Sequence, residues 1–247
     1  MQQVKTVSMR DSWLDFLKGI AMIAVVFYHL KLLEYGYLGV EIFLTVNGYL
    51  LTCSLNKKTS DGKQFSYFRF VYEKILRLWP LVLLAGLISL IVGSASMLPD
   101  DYENLAQSVV ASNVFSNNIL SAITTGNYWD VVQDYKPLMH LWYIGILVPF
   151  YVIYPAIYLF TIRIARKKQW DKQKTLLIVL GLLTVLSLMA YFLEKRSAAR
   201  FYYFPFRFYE MLTGCLVAIG TKYFGGGVKT DIECNAWSCA FDLFAYS

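Results

Sequence analysis

Charged residues are scarce in this chain. Asp, Glu, Lys and Arg make up only 16% of its 247 residues, whereas hydrophobic residues make up 57% and the mean hydropathy is +0.46. An ordinary soluble domain of this length carries more charge and fewer apolar residues. The composition therefore excludes a soluble globular domain and indicates an integral membrane protein.

Cysteine is also rare, and its spacing does not suggest a metal site. The four cysteines, Cys53, Cys215, Cys234 and Cys239, show no paired ligand spacing, so we interpret them as free thiols and expect no metal. The alternating strands of about ten residues that build a membrane barrel are absent as well. No small-residue cleavage site follows the first apolar run, which we interpret as a retained signal-anchor helix.

Six apolar runs are long enough to cross the ~30 Å hydrocarbon core of a bilayer, which requires ~20 helical residues. The sequence therefore predicts an all-α polytopic bundle of about six transmembrane helices. The runs are Leu14–Leu33, Tyr37–Leu55, Ile75–Ser94, Leu141–Arg163, Lys174–Leu193 and Phe201–Thr221.

Charge is divided unequally among the connections between these runs. The second and fourth connections are rich in Lys and Arg, whereas the third, Leu98–Met139, contains five acidic residues against Lys136 alone. The positive-inside rule then assigns the basic connections and the N-terminus to the cytoplasm. The net charge of +6 is therefore an asymmetry of topology. Its distribution does not resemble a nucleic-acid surface, and we expect no nucleic-acid partner.

The first apolar run contains three ionisable side chains, Asp15, Lys18 and His29. Such groups are costly in a spanning helix and normally face protein or a water-filled cavity. Because eleven residues are close to three helical turns, Lys18 and His29 share one face and lie ~16 Å apart along the axis. Asp15 lies one turn before Lys18. The sequence therefore predicts a polar stripe across most of the membrane.

Further polar residues are expected near the external face. A tight turn after the first helix is expected to place Glu41 at a depth similar to that of His29. His140 begins the fourth helix, while Arg207 and Glu210 lie in the outer half of the sixth. A neutral imidazole can take a proton from a hydroxyl, and a carboxylate on its other nitrogen fixes its tautomer. We predict His29 as general base and Glu41 as its partner. Interhelical hydrogen bonding by His29 and a purely structural Arg207–Glu210 pair are the alternatives.

Cations collect near the predicted inner face. Lys74 and Arg77 lie at i and i+3 where the third helix starts, so both can point at one anion, and Lys18 can join them. Three cations at a cytoplasmic opening suit a phosphorylated donor, and the Lys18–His29 separation is comparable with the reach of a pantetheine arm. The pattern suggests a coenzyme A ester with its thioester near His29. Taken alone, each cation fits a positive-inside anchor better.

Five segments resemble, in order, sequence blocks of the acyltransferase-3 family of integral membrane O-acyltransferases. They are LDFLKGIAMIAVVFYH, GVEIFLTVNGYLL, FRFVYEKILRLWP, HLWYIGILVPFYVIYP and RFYYFPFRFYEMLTGCLVA. In the first family block a basic residue precedes by eleven positions the histidine regarded as catalytic. Lys18, in place of the usual Arg, and His29 stand at those positions. Lys74 and Arg77 match the basic positions of the block linked with acyl-CoA binding, and Glu41 stands where Asp is common.

The resemblance implies transfer of an acetyl or other short acyl group to a hydroxyl of an extracytoplasmic glycan in a bacterial inner membrane. The implied donor is cytosolic acetyl-CoA, which is a substrate, and no bound cofactor is expected. The acceptor class is a cell-surface glycan of the envelope. The implied site residues are His29 and Glu41 for catalysis, Lys18, Lys74 and Arg77 for the donor, and His140, Arg207 and Glu210 for the acceptor or the oxyanion.

The chain departs from the family pattern in two respects. Leu147 and Val148 stand where a Glu pair is common. Relatives typically have about ten spans of ~20 residues, more than this chain supplies. We therefore expect residues 1–224 to form an incomplete family domain and residues 225–247 a tail outside it. A glycan transporter or flippase, or an inactive truncated acyltransferase, is the alternative, although the lack of internal repeats weakens the case for transport.

Overall fold

The computed structural model describes residues 12–60, 65–124 and 136–224, and within these ranges the chain is helical with no strand. The all-α prediction is therefore confirmed for this part of the chain. The helices are α1 Ser12–His29, α2 Leu38–Ser60, α3 Tyr67–Ser96, α4 Pro99–Asn113, α5 Asn117–Thr124, α6 Trp142–Lys167, α7 Lys172–Leu193, α8 Ser197–Tyr202 and α9 Phe204–Phe224, with a 3-10 helix, Met139–Leu141, before α6.

Four helical segments are long and apolar enough to cross a membrane, which makes this an integral membrane protein. They are α2, α3, α6 together with the 3-10 helix before it, and α7. Each of the six predicted runs overlaps a helix, but the last run, Phe201–Thr221, is interrupted at Tyr203 between α8 and α9. The first run and most of the last correspond to α1 and α9, of 18 and 21 residues, which are not among the four. In α9 the polar residues Arg207 and Glu210 lower the mean hydropathy of the helix.

Helix α1 ends four residues earlier than its apolar run. Lys31 has a φ of 59°, its N–H donates to the Tyr28 carbonyl at 2.9 Å, and the Leu32 N–H donates to the Phe27 carbonyl at 2.9 Å. These bonds form a Schellman motif, which usually has glycine at the left-handed position. A left-handed conformation costs lysine about 1 kcal/mol. Because lysine, unlike glycine, does not mark a helix end in the sequence, the apolar pattern gives no sign that α1 stops here. His29 is therefore the last residue of α1, whereas the apolar run Leu14–Leu33 predicts a helix that continues for one turn beyond it.

The described residues form two compact units. The first comprises residues 12–60 and 65, 165–182 and 210–224, and the second comprises residues 66–124, 136–164 and 183–209. Helices α6, α7 and α9 therefore contribute one segment to each unit. Each unit has its own close helix contacts and its own set of polar side chains.

In the first unit, α1 and α2 form an antiparallel hairpin whose backbones touch. A Cβ atom on Gly39 would overlap the carbonyl oxygen of Ala21, and one on Gly36 would overlap that of Ala24. In a bilayer, where lipid is as apolar as leucine, such small residues allow the close backbone approach that holds helices together. The register of the hairpin is set by these contacts.

The same kind of contact joins α2 to the α9 segment of the first unit. A Cβ atom on Gly48 would overlap the carbonyl oxygen of Met211, and one on Gly214 would overlap that of Thr45. Thr45 Oγ1 also donates to the Glu210 carbonyl oxygen at 3.1 Å. Helix α2 is therefore packed backbone to backbone with both α1 and α9.

The third connection, Leu98–Met139, contains the two helices α4 and α5 in its described residues. Pro99 lies in the first turn of α4 and is followed by Asp100 and Asp101, all of which favour a helix N-terminus. Leu105, which is 3% exposed, packs against Gly93 of α3. Asp100, Asp101 and Glu103 thus lie on a helix that packs along α3. Asp130 and Asp134 lie outside the described residues.

An aromatic layer forms the core of the second unit. Phe150 and Tyr154 of α6 are both fully buried and stack with ring centroids 5.2 Å apart and an interplanar angle of 13°. Phe208 of α9 meets Phe150 edge-on at 6.0 Å. Each aromatic pair adds to the packing beyond its buried area. The first turns of α9 are therefore fixed against α6.

We predict that Gly48→Ala destabilises the protein by about 1–3 kcal/mol, because the added methyl group forces α2 and α9 apart. Gly181→Ala in α7 is the matched control, since its Cβ atom would meet nothing within 4 Å. That change should be neutral or stabilise by up to ~1 kcal/mol through helix propensity. Denaturant unfolding of the two purified variants in micelles measures both effects, and equal stabilities would contradict the backbone contact.

Candidate functional site

Lys18 and His29 both belong to α1, so their separation of eleven residues lies on one straight helix and one face. Lys18 Nζ lies 3.3 Å from Asp15 Oδ1, and the two side chains are 13% and 26% exposed. The predicted one-turn spacing of Asp15 and Lys18 is confirmed. His29 is exposed at the end of the helix, where its ring meets that of Tyr28 edge-on at 5.4 Å.

Glu41 lies in the first turn of α2 and is half-buried. Because Gly39 packs between Ala21 and Val25, the Cα atom of Glu41 lies ~12 Å closer to the Lys18 end than that of His29. The expectation of similar depth is therefore wrong for the backbones. Helical side chains lean toward the N-terminus of their own helix. In this antiparallel hairpin the side chains of His29 and Glu41 consequently lean toward each other.

Glu210 is a buried carboxylate of the first unit, with only 4% of its surface exposed. Its backbone carbonyl accepts hydrogen bonds from Thr45 Oγ1 at 3.1 Å and from Thr213 Oγ1 at 2.6 Å. Thr45 follows Glu41 by one turn on α2. The first unit therefore places Glu210 beside the helix that carries Glu41.

Arg207 lies in an aromatic cradle of the second unit and is 8% exposed. Its guanidinium carbon is 4.6 Å from the Phe201 ring centroid and 5.9 Å from that of Trp142. Its Nε donates to the Phe201 carbonyl at 3.2 Å. Aromatic faces attract a cation most strongly where water is excluded. Trp142 opens α6 two residues after the exposed His140, so Arg207 packs against the segment that carries this histidine.

Two adjacent asparagines of α5 tie the same region together. Asn117 Nδ2 donates to the Leu138 carbonyl at 2.9 Å, and Asn118 Nδ2 donates to the Tyr202 carbonyl at 3.0 Å. Both are nearly buried, at 3% and 4% exposure. Leu138 precedes His140 by two residues. Neither asparagine was predicted as a site residue, because two polar residues between apolar runs match no functional motif.

A paired carboxylate and guanidinium shape the connection that leads to α8. Arg196 donates to Glu194 from its backbone N–H at 3.0 Å, from Nε at 3.1 Å and from Nη2 at 3.3 Å. These hydrogen bonds lower the pKa of the Glu194 carboxyl to about 2, so the pair stays ionised at neutral pH. The pair lies outside the spanning helices, and Arg196 is the residue that precedes α8.

Lys74 and Arg77 have different surroundings on α3. Lys74 is only 7% exposed, and its Nζ lies 5.4 Å from the ring centroid of Phe70, one turn earlier. Arg77 is exposed. A buried cation in a spanning helix is costly and therefore marks a functional candidate. Binding of one anion by both residues stays a prediction.

Comparison with known proteins decides the family. The model of an acyltransferase domain, Acyl_transf_3, matches residues 11–240. The chain belongs to the acyltransferase-3 family. The peptidoglycan O-acetyltransferase OatA of Listeria monocytogenes is 29% identical over 212 residues, which are 83% of this chain and 33% of that protein. The O-acetyltransferase OatA of Staphylococcus aureus strain NCTC 8325 is 26% identical over 216 residues, 83% of this chain and 34% of that protein.

This acyltransferase-3 chain thus spans about a third of the length of the curated relatives it matches. No solved structure matches it significantly. The resemblance inferred from five sequence blocks is confirmed by the family match. The division into a domain over residues 1–224 and a tail over 225–247 stays a prediction, and the tail lies outside the described residues.

The predicted site residues divide between the two units of the acyltransferase-3 chain. Within the described ranges, no group of three or more His, Cys, Asp or Glu could hold a metal ion. Cys53 and Cys215 take part in no disulfide there, and Cys234 and Cys239 lie outside the described residues. The first unit holds Lys18, His29, Glu41 and Glu210, and the second holds Lys74, Arg77, His140 and Arg207.

Each unit supplies different parts of acyl-transfer chemistry. The first combines an exposed imidazole with a carboxylate that leans toward it, which suits general-base activation of a hydroxyl. The second holds a guanidinium fixed between rings, which suits an oxyanion that forms during the reaction. The second unit also holds the buried ammonium group of Lys74, which suits a phosphate.

Proposed function

We propose that this chain transfers an acetyl group from cytosolic acetyl-CoA to a hydroxyl of an extracytoplasmic glycan. The proposed setting is a bacterial inner membrane, with the N-terminus of the chain in the cytoplasm. The observation that carries the proposal is α1, which bears Lys18 near its start and His29 at its end on one face. Family membership supports acyl transfer. Because one relative is named for peptidoglycan, peptidoglycan is the first acceptor to test.

His29 is the proposed general base. Its imidazole takes the proton of the acceptor hydroxyl while that oxygen attacks the carbonyl carbon of the thioester. The new carbon–oxygen bond forms first, and collapse of the tetrahedral intermediate then breaks the carbon–sulfur bond. The departing thiolate takes the proton from the imidazolium, so His29 returns to its neutral form. Glu41 is proposed to stabilise the imidazolium through its negative charge, since the ~12 Å axial offset between the two Cα atoms is too long for a direct hydrogen bond.

The donor is proposed to lie along α1, with its phosphates at the cytoplasmic end. Lys18 and His29 are ~16 Å apart along the helix axis, a distance comparable with the reach of a pantetheine arm. Because α3 begins at Tyr67 and not at the predicted Ile75, Lys74 and Arg77 lie two to three turns inside the helix and not at its start. The positive-inside rule assigns the start of this helix to the cytoplasm. All three cations are therefore proposed to hold the phosphates of coenzyme A.

Arg207 and His140 are proposed to serve the acceptor side. The cradle of Trp142 and Phe201 holds the Arg207 guanidinium in one place before the reaction starts. A hydrogen-bond donor that is already correctly oriented stabilises a developing oxyanion most effectively. Arg207 is therefore the proposed oxyanion partner. His140 is exposed two residues before Trp142, and Glu210 is buried. Both are proposed to shape the acceptor site.

We predict that His29→Gln lowers the rate of glycan acetylation by about 10²–10⁴-fold, because the general base is removed. The Michaelis constant for acetyl-CoA should stay near the wild-type value. His140→Gln is the matched control and should act on the Michaelis constant for the glycan, with much of the rate retained. Labelled acetyl transfer in membrane preparations measures both. Retention of the wild-type rate in His29→Gln would remove His29 as the base.

Lys74→Met should raise the Michaelis constant for acetyl-CoA about tenfold, the equivalent of one charge-assisted hydrogen bond to a phosphate. Arg69→Met is the control, because Arg69 lies on the same helix, is 79% exposed and pairs with Glu73 at 2.9 Å. That variant should bind the donor normally. An unchanged donor constant in Lys74→Met would remove this residue from the donor site.

A further inference from the structure

Arg207 depends on a bend in the chain where two helices meet. Helix α8 ends at Tyr202, Tyr203 has extended backbone angles, and α9 starts at Phe204. Arg207 lies in the first turn after this bend and reaches back to the Phe201 carbonyl on the other side of it. The direction of its guanidinium is therefore set by the geometry of the bend.

Asn118 holds the α8 side of the bend. Its Nδ2 donates to the carbonyl of Tyr202, the last residue of α8, at 3.0 Å. The amide also lies against the backbone of α6, because a Cβ atom on Gly145 would overlap Asn118 Oδ1. One buried side chain of α5 thus contacts both α6 and α8. Movement of Asn118 would move the Tyr202 carbonyl relative to Trp142.

Ser187 holds the α9 side of the bend. Its hydroxyl donates to the Pro205 carbonyl at 2.6 Å and accepts from the Tyr209 N–H at 3.0 Å. These two backbone groups are an i and i+4 pair, which bond each other in a regular helix. A side chain that enters the hydrogen-bond ladder in this way bends a helix locally. Ser187 therefore sets the shape of the turn that carries Arg207.

We propose that Asn118 and Ser187 are positioning residues for Arg207, acting from the two sides of the α8–α9 bend. The proposal rests on the proposed function in one respect, since acyl transfer is one of its readouts. A displacement of about 1 Å in a group that stabilises the transition state can cost up to about a hundredfold in rate. Loss of either contact therefore acts on turnover through Arg207 and leaves donor binding unchanged.

The test uses the full chain in micelles with two readouts. Glycan acetylation gives kcat and the Michaelis constants, and 5-fluorotryptophan labelling gives a fluorine resonance for Trp142, assigned by its loss in Trp142→Phe. The variants are Asn118→Leu and Ser187→Ala, alone and combined with Arg207→Gln. Controls are Asn113→Leu and Thr161→Val, whose side chains bond only carbonyls of their own helix, at 2.9 Å and 2.8 Å.

We expect both variants to lower kcat by about tenfold to a hundredfold, to leave the acetyl-CoA constant unchanged and to shift the Trp142 resonance. With Arg207→Gln present, neither should lower kcat further, because residues that act as a unit are not additive. The controls should match the wild type. In Ser187→Ala the Tyr209 N–H can bond the Pro205 carbonyl directly, so this variant is expected to fold. It decides the test if Asn118→Leu does not accumulate in the membrane.

The inference is overturned if the rate losses persist in full beside Arg207→Gln, or if both variants keep the wild-type kcat and resonance. A wild-type chain that acetylates no glycan in any assay contradicts the proposed function instead. In that case the Trp142 resonance alone decides the positioning role, with a shift in both variants supporting it and no shift overturning it.

Discussion

Contact between helix backbones at glycines is the constraint on which the proposed base depends. Gly39 against Ala21 fixes α2 on α1, and Gly48 against Met211 fixes α2 on α9. Lipid offers no hydrophobic gain for helix association, so close packing must supply it. Any Cβ atom at these glycines would separate the helices. The lean of Glu41 toward His29 is a consequence of this register, since it requires antiparallel backbones at the observed offset.

In the second unit, two cationic side chains are buried against aromatic rings. Lys74 lies on the Phe70 ring, and Arg207 lies between Phe201 and Trp142. Attraction between a cation and a ring face offsets part of the free energy that a charge loses when it leaves water. A cation held in this way is fixed in place and can still bind an anion. The arrangement therefore suits residues that meet a phosphate or a developing oxyanion.

Much of the helical order could be predicted from the sequence, because apolar runs and short-range spacing are local properties. Asp15 lies one turn before Lys18 as expected, and His140 lies in the 3-10 helix directly before α6, close to the predicted start of the fourth helix. The end of α1 could not be predicted, since Lys31 takes a left-handed conformation that glycine usually adopts. The start of α4 could have been predicted, because Pro99 followed by Asp100 and Asp101 is typical of a helix N-terminus. It was missed because the segment is too polar to form an apolar run.

The contacts that shape the site were less predictable than the helices. Ser187 and Asn118 act on backbone carbonyls that are distant in sequence, and neither residue belongs to a pattern that marks such a role. The offset of Glu41 from His29 depends on where two glycines meet two carbonyls, which spacing along one chain does not determine. Tertiary packing alone determines these features.

We propose that the acyl donor and the glycan acceptor reach this protein from opposite sides of the membrane. Sealed vesicles of known orientation, containing the purified chain, test it directly when labelled acetyl-CoA and glycan are supplied on chosen sides. Labelled glycan is expected only when acetyl-CoA is on the cytoplasmic side and the glycan is on the other. Transfer that requires both substrates on one side would contradict it.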